Sequence, residues 1–527
     1  SGNPISGAVV TWSVSNALLA TVSGSGLVTA LSLGSVTVTA TSGGKTGSAT
    51  ITIAAPSSTT HKGWYASPTG SSSGAGTTSS PWSLTTALAG GNGKVQPGDT
   101  VWLRGGTYRG AYTSTVAGTA SAPVVIAQYP GERATLDGAG LTGDQLIVKG
   151  QWTVFMDFEV MNSSPSRSTS TTSNNWRPNN VVNNASNTKY INLIIHDGGV
   201  AFFNYTTQRN VEVYGCILYN NGWQAPDRGH GHGLYVKSDV GPVVLRDNIL
   251  FGQFGYGIHI YSNSGSGFLN NITLDGNVAF NNGTTSNNST SPNILYGGSA
   301  TATGATVVNN LTYYSPGAGG ANVRIGHGST KNGSASVQGN YAVGGSPVLD
   351  LGYWSSATVS SNTLVGSSTV VALNDATTSG KQFSANTHRR DPSTSSWKYK
   401  GTSYNWTSWK SATALASSDQ AMTGVPTATH VVTRVNPHVK GRGYVAVYNW
   451  ARQGSVSVSL SGILSVGDQY VVRNAQNPFG APVASGTFGG GSVTLPLSGI
   501  TPPAPIGWTR SAPKTGPDFD VFVVQKI

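Results

Sequence analysis

The sequence predicts an all-β protein organised around a β-solenoid, and three observations carry that prediction. Charged residues are only 9% of the 527, Gly numbers 70, and Ser, Thr and Asn are abundant, a composition of strand and turn formers with little material for long helices. Hydrophobic residues reach 37%, enough for a stacked core and too many for a disordered chain. Above all, one short pattern returns between about Asn192 and Asn362. An apolar run ends in Gly-Asn or Asp-Asn and is followed by more apolar residues: Ile191-Asn192-Leu193, Gly215-Cys216-Ile217, Asp247-Asn248-Ile249, Gly276-Asn277-Val278, Asn309-Asn310-Leu311, Gly339-Asn340-Tyr341 and Ser361-Asn362-Thr363. The central positions lie 24, 32, 29, 33, 30 and 22 residues apart, the period of a solenoid whose coils bury their apolar face only against their neighbours.

At this length two or three domains are expected. Residues 1–55 alternate with period two, as in Val9-Val10-Thr11-Trp12-Ser13-Val14 and Ser35-Val36-Thr37-Val38-Thr39, and predict a small β-sandwich. The phrases Val10-Thr11-Trp12-Ser13, Ala20-Thr21-Val22-Ser23 and Gly26-Leu27-Val28-Thr29-Ala30 resemble the bacterial Ig-like group 2 domain, which implies a spacer or adhesion module in an extracellular setting. A linker is expected at Ala55-Pro56-Ser57-Ser58-Thr59-Thr60.

Residues 61–384 carry the coils. Their opening, Gly63-Trp64-Tyr65-Ala66-Ser67-Pro68, then Pro81-Trp82-Ser83-Leu84, then Pro97-Gly98-Asp99-Thr100-Val101-Trp102-Leu103-Arg104-Gly105-Gly106-Thr107-Tyr108, resembles the first coil of right-handed parallel β-helices in secreted carbohydrate-active enzymes. The resemblance implies a short helix near Leu84–Leu88 capping that coil. Residues 385–425, poorly patterned and rich in Trp and Ser, predict an irregular connection. Residues 426–527 alternate again, as in Val445-Ala446-Val447-Tyr448 and Ser492-Val493-Thr494-Leu495, and resemble the antiparallel β-sandwich that trails many glycosidase catalytic domains, with packing or substrate docking as its expected role.

Several function classes are disfavoured. The net charge of +11 is spread along the chain: Lys45 alone in residues 1–56, 21 basic and 16 acidic residues in 57–425, and 8 and 3 in 426–527. With no basic run, nucleic-acid binding is not expected, whereas a weakly anionic polymer suits the charge. No run of about 18 apolar residues predicts a membrane span. The opening Ser1-Gly2-Asn3 reads as a trimmed, secreted bacterial protein, and a monomer is expected. The single Cys216 falls among the asparagines of the repeat and reads as a buried filler.

In each coil one strand aligns by its Gly and its aliphatics. Leu234 and Val236, Ile258 and Ile260, Ile294 and Tyr296, Val323 and Ile325, and Leu349 and Leu351 should point inward, so the residues between them face out. One outward column is then Tyr235, His259, Leu295, Arg324, Asp350, and beside it runs Lys237, Tyr261, Gly297, Gly326, Gly352, with the glycines expected to leave room. At roughly 4.8 Å per coil, His259 should lie beside Tyr235, Lys237 beside Tyr261, and Arg324 two rungs from His259. The loop Trp223-Gln224-Ala225-Pro226-Asp227-Arg228-Gly229-His230-Gly231-His232 brings two more imidazoles to the same edge, and His327, Tyr353 and Trp354 follow the later strands.

Such a set suits removal of the proton beside a uronate carboxylate, which needs a cation for the carboxylate, a base and an acid for the leaving oxygen. Arg324 would neutralise, His259 or Lys237 abstract, and Tyr261 or Tyr235 protonate. Trp223, Asp227, Arg228, His230, His232, His327, Tyr353 and Trp354 would bind an extracellular polysaccharide. This resembles the logic of β-helix polysaccharide lyases, although their calcium-binding Asn/Glu cluster is not evident. No cofactor is required; a divalent cation, calcium or a metal held by His230, His232 and His259, is the alternative. Hydrolysis would need two facing carboxylates, for which Asp227 and Asp350 are the best pair. A non-catalytic binding or adhesion protein is the third reading. Asp157, Glu159 and His196-Asp197 read as solvent-facing or turn-bonding.

Overall fold

The computed structural model describes residues 9–527 apart from Leu18, 31–33, 54–60, Asn174, Ser264, Ser266 and 289–290. Two compact units divide the chain, Ser1–Lys62 and Gly63–Ile527. In the first, Thr11–Val14, Gly34–Ser42 and Lys45–Ile53 form an antiparallel sheet and Ala20–Val22 pairs with Val28–Ala30. The expected linker at 55–60 lies outside the described residues.

The second unit is a parallel β-helix of three 12-stranded sheets, each coil contributing one short strand to each sheet. The first sheet contains Thr153–Met156 and Val211–Tyr214, the second Glu159–Met161 and Ile217–Tyr219, the third Phe202–Asn204 and Leu234–Val236. Inward residues of all three, such as Val213, Leu218, Leu234, Leu245, Leu250 and Ile258, form one continuous buried core. The expected helix Leu84–Leu88 caps the first coil, with the Ser83 hydroxyl accepting from the Thr86 N–H.

The reading of 385–425 as an irregular connection is corrected. Thr387–Arg389, Trp397–Tyr399 and Gln420–Met422 continue the parallel stacking. Helix Trp406–Thr413, capped by Asn405, then closes the far end with Trp397, Trp406 and Trp409 buried. The missing alternation has a simple cause: these aromatic side chains plug the open end of a core and need no period of two.

Two adjacent positions explain the repeat. Asp157, Asn192, Gly215, Asp247, Gly276, Asn309, Gly339, Ser361 and Ala385 share φ values of 54 to 67, the left-handed corner that Gly, Asn and Asp tolerate best. The next residue points inward as a ladder. Asn248, Asn277, Asn310, Asn340, Asn362 and Asn386 each donate a backbone N–H and a side-chain N–H to the following coil's side chain at 2.9 to 3.1 Å, ending on Asp419. Cys216 heads this ladder, its N–H donating to Asn248. Since Ile191 pairs with Tyr214, the ladder equivalent in the preceding coil is Leu193 and not Asn192, which occupies the left-handed corner.

The C-terminal residues form a five-stranded antiparallel sheet with a two-stranded partner, and a shared apolar core lies between them. This sandwich lies on the outer face of the second sheet. Tyr219, Phe251 and Phe280 stack ring on ring along that face at 5.2 and 5.1 Å, beneath Tyr444, Tyr448 and Phe519. The sandwich therefore covers the outer face of the second sheet.

Candidate active site

The third sheet places the predicted column in register. Phe203, Tyr235, His259, Leu295, Arg324 and Asp350 are successive partners, each flanked by inward residues of the buried core. His259 and Arg324 thus share one face, two rungs apart. A chain of buried amides, Asn221 to Gln253, Asn282 to Asn293 and Asn293 to Asn322, fixes the corner from which these strands depart.

His259 is enclosed by rings. Tyr256 lies 4.1 Å from it with planes 3° apart, His232 4.3 Å away, Tyr261 4.8 Å and Tyr235 4.9 Å. The residue is only 7% exposed, and its Nδ1 has no hydrogen-bond partner among the described residues. Burial first, then His232, Arg228, His327 and Lys237, push its pKa well below the usual value and keep it neutral. Burial does the same to His232, whose Nδ1 accepts the Tyr256 N–H at 3.2 Å and so carries its proton on Nε2. Enclosed in this way, His259 is placed to shape and desolvate the site more readily than to receive a substrate proton.

Lys237 is half-buried beside it, its ammonium 5.7 Å from the Tyr235 ring and 5.9 Å from the Phe203 ring, and burial lowers its pKa. Tyr261, on the next coil, donates its hydroxyl to Asn263 at 2.9 Å and meets His327 edge-on at 5.5 Å. Tyr235 is raised to about 12 by burial. Arg228, partly exposed on the loop above, acts electrostatically on His232, His259, Tyr235 and Tyr256.

Several expectations are corrected. Arg324 does not reach toward His259; its Nε donates to Asp350 at 2.7 Å, and Asp350 also accepts from Asn374 at 2.6 Å. Gly297 and Gly326 do not open a pocket: a Cβ on Gly297 would fall 2.8 Å from Gly326 Cα, and one on Gly326 1.9 Å from the Gly352 carbonyl, so they bring coil backbones together. Trp354, 1% exposed, is a core residue whose indole N–H donates to Ile325. Trp223, also 1% exposed, lies beneath His230 at 5.3 Å and cannot present its face to a sugar. Tyr353 holds a left-handed turn.

The alternative chemistries fare differently. His230 hydrogen-bonds Asp227 at 3.0 Å and stacks on Trp223, so it turns away from the pair His232 and His259. Among the described residues no group of three His, Cys, Asp or Glu is placed to hold a metal, and the three-histidine set does not assemble. Asp227 is held below the usual carboxylate range by His230, the reverse of what a general acid needs, while Asp350 is committed to Arg324 and Asn374.

Sequence reasoning missed one cluster. Glu159 and His196, on adjacent coils of the second sheet, are buried and hydrogen-bonded at 2.8 Å; His196 also binds Asp197 at 2.7 Å, Glu159 pairs with Arg133, and Asp197 with buried Arg167. Arg133 and Glu159 line an 820 Å³ cavity with Arg442, Arg473 and Phe479 of the C-terminal sandwich. The signal lay in the coil register, which sets Met161 beside His196, but its burial depends on a domain distant in sequence.

Comparison with known proteins follows the same lines. The family described as Pel9A-like, right handed beta helix region matches residues 64–345, more than half of the chain. The chain belongs to this family. Residues 4–53 match the bacterial Ig-like domain (group 2). A stretch of 82 residues is 42% identical to "Pectate lyase PEL9" of Emericella nidulans, covering 15% of this chain and 19% of that protein, so the match spans about a fifth of the curated relative. Among solved structures, pectate lyase Pel9A is similar at 14% identity over 69% of this chain and 79% of its own, with a TM-score of 0.40. The GH136 lacto-N-biosidase from Eubacterium ramulus is similar at 12% identity over 69% and 68%, with a TM-score of 0.45. As in other Pel9A-like members the helix is right-handed, and no described helix is long and apolar enough to cross a membrane.

Proposed function

We propose that the outward face of the third sheet is the catalytic face of a secreted polysaccharide lyase that cuts a uronate-containing polymer by β-elimination. The observation that carries this reading is Lys237: a half-buried amine with a lowered pKa, one coil from Tyr261 in the same column, since Val236 pairs with Ile260. An amine shifted toward neutrality can act as a base, as a fully solvated lysine cannot.

In this reading Arg228 offsets the uronate carboxylate and makes the adjacent C5–H more acidic. Lys237 takes that proton; the electron pair forms the C4=C5 double bond; the C4–O bond breaks, and the Tyr261 hydroxyl protonates the departing glycosidic oxygen. Coils roughly 4.8 Å apart put base and acid on either side of one sugar. Arg324 and His327 would receive the carboxylate of a further uronate. No step is routed through a metal; among the described residues no group of three His, Cys, Asp or Glu is placed to hold one.

The test is to incubate the full chain with pectic, alginate and glycosaminoglycan polymers and follow the ultraviolet absorbance of unsaturated ends. Product with that absorbance, lost in Lys237→Ala, supports the reading. Reducing ends without absorbance would overturn it in favour of hydrolysis, and polymer retention without any product would overturn it in favour of a binding protein.

A further inference from the structure

The ring-lined face does not stop at Tyr235. One rung toward the N-terminus, Phe203 pairs with Tyr235 and Tyr205 follows in the column of Lys237. Phe203 meets Tyr205 edge-on at 4.8 Å and Tyr235 at 4.9 Å, so Tyr205, Phe203, Tyr235, His259 and Tyr261 make an unbroken run of rings. Tyr205 is 45% exposed. Phe268 arrives from a different coil and is 53% exposed; its backbone N–H donates to the Thr206 hydroxyl at 3.2 Å, and its carbonyl accepts from Ser238 at 2.9 Å, which ties the Phe268 backbone to the same rung. Two large exposed rings, Tyr205 and Phe268, at the rung of the partly buried Phe203 are not explained by packing, which would bury them.

Charge distinguishes the two ends of the run. Beyond Tyr261 lie His327 and Arg324. At the Phe203 end Lys237 lies 5.9 Å from the Phe203 ring, and Asp239 stands beside the rung: its N–H donates to the Thr206 carbonyl at 2.7 Å, and its buried Oδ1 has no hydrogen-bond partner among the described residues. A second uronate placed here would set its carboxylate over apolar rings next to a carboxylate. An uncharged sugar would lay its C–H face on the rings without bringing a second negative charge beside Asp239.

We infer that Phe203, Tyr205 and Phe268 form a stacking subsite for a neutral pyranose adjoining the uronate cleaved at Lys237, so that the substrate is a mixed polymer of uronate and neutral sugar and not a uronate homopolymer. This rests on the proposed catalytic face, and the experiment separates the two. Alternating uronate–neutral hexose oligosaccharides and uronate homo-oligomers are compared as substrates and, by calorimetry, as ligands, using the full chain and its Tyr205→Ala and Phe268→Ala variants. Both changes are at exposed rings, and a folded circular dichroism spectrum controls for damage.

The alternating oligomer should be preferred, and each variant should raise its KM about 5-fold with kcat nearly constant while lowering its preference over the homo-oligomer. Unsaturated product with unchanged KM in both variants, or preference for the homo-oligomer, would overturn the subsite while leaving the lyase intact. Where no substrate yields product, the catalytic reading falls and binding decides the subsite. Calorimetric affinity for the alternating oligomer that drops in both variants upholds it; no binding, or binding that the variants do not change, overturns it.

Discussion

Tyr256 lies flat on His259, ring centroids 4.1 Å apart and planes within 3°. With His232, Tyr235 and Tyr261 also in contact, this imidazole is walled into an apolar, neutral setting. The ring signals of His232 and His259 should therefore show midpoints well below the ordinary 6.5 in an NMR pH series, and His259→Ala should lower stability to urea by about 2–3 kcal/mol by removing the shared packing. A histidine at this position with an ordinary midpoint would contradict the enclosure.

Lys237 should be the residue whose loss removes turnover. Lys237→Ala is expected to reduce kcat by about 10³-fold, within the range for a general base, with oligosaccharide affinity kept within a few-fold. Burial lowers its pKa from the ordinary 10.5, and the base must be unprotonated. Activity should therefore rise with pH along a limb whose midpoint lies below 10.5, read from kcat/KM against pH. A profile falling over that limb would exclude this assignment.

The Glu159–His196 pair makes a pH-dependent contribution to stability whose sign can be worked out. Burial raises Glu159, but hydrogen bonds from His196 and Arg133 outweigh it and bring the pKa to about 2. That stabilisation is present above the ordinary 4.5 and is lost as pH falls toward 2. Burial lowers His196, but Asp197 and Glu159 raise it above 6.5, so its share is complete below 6.5 and fades as pH rises through the folded value. Glu159→Gln should cost about 3 kcal/mol at pH 5.5. The difference in thermal midpoint from the unaltered protein should narrow toward pH 2 and also at high pH; a constant difference would count against the pair.

Asn310 takes part in the ladder on both sides, accepting from Asn277 and donating to Asn340, Leu274 and Val308. Asn310→Ala removes the acceptor for the buried N–H groups of Asn277 and leaves the Asn340 oxygen with the backbone N–H of residue 310 alone, and should cost about 3 kcal/mol in urea unfolding. Asn310→Asp should not rescue it, since a carboxylate cannot donate to the Asn340 oxygen. Equal stability of the alanine variant would show the ladder to be ornamental.

Much of the third sheet was legible because its strands are three residues long and alternate strictly, and those carrying Tyr235, His259 and Arg324 begin after Gly or Asn, so Tyr235, His259, Arg324 and Asp350 could be stacked from the sequence. The slip at Leu193 has an identifiable cause: Asn serves both in the left-handed corner and in the ladder, one residue apart, and Asn192 fills the first where Asn248 fills the second. Trp223 and Trp354 read as sugar platforms because sequence reports that a ring is present but not which way it faces. Glu159 and His196 read as surface groups because the sandwich that covers them begins more than 200 residues later in the chain.

The amide ladder also has a direction. From Asn248 to Asn386 every side chain turns its oxygen toward the first coil and its N–H toward the last, so the small dipoles add head to tail along the solenoid axis, with the positive end meeting the Asp419 carboxylate. An inner coil can therefore be duplicated or removed without disturbing this polarity, whereas the final coil cannot be exchanged with an inner one: Asp419 accepts but has no proton to pass on. Growth or shrinkage of the solenoid by whole turns is thus permitted in its interior and blocked at that end.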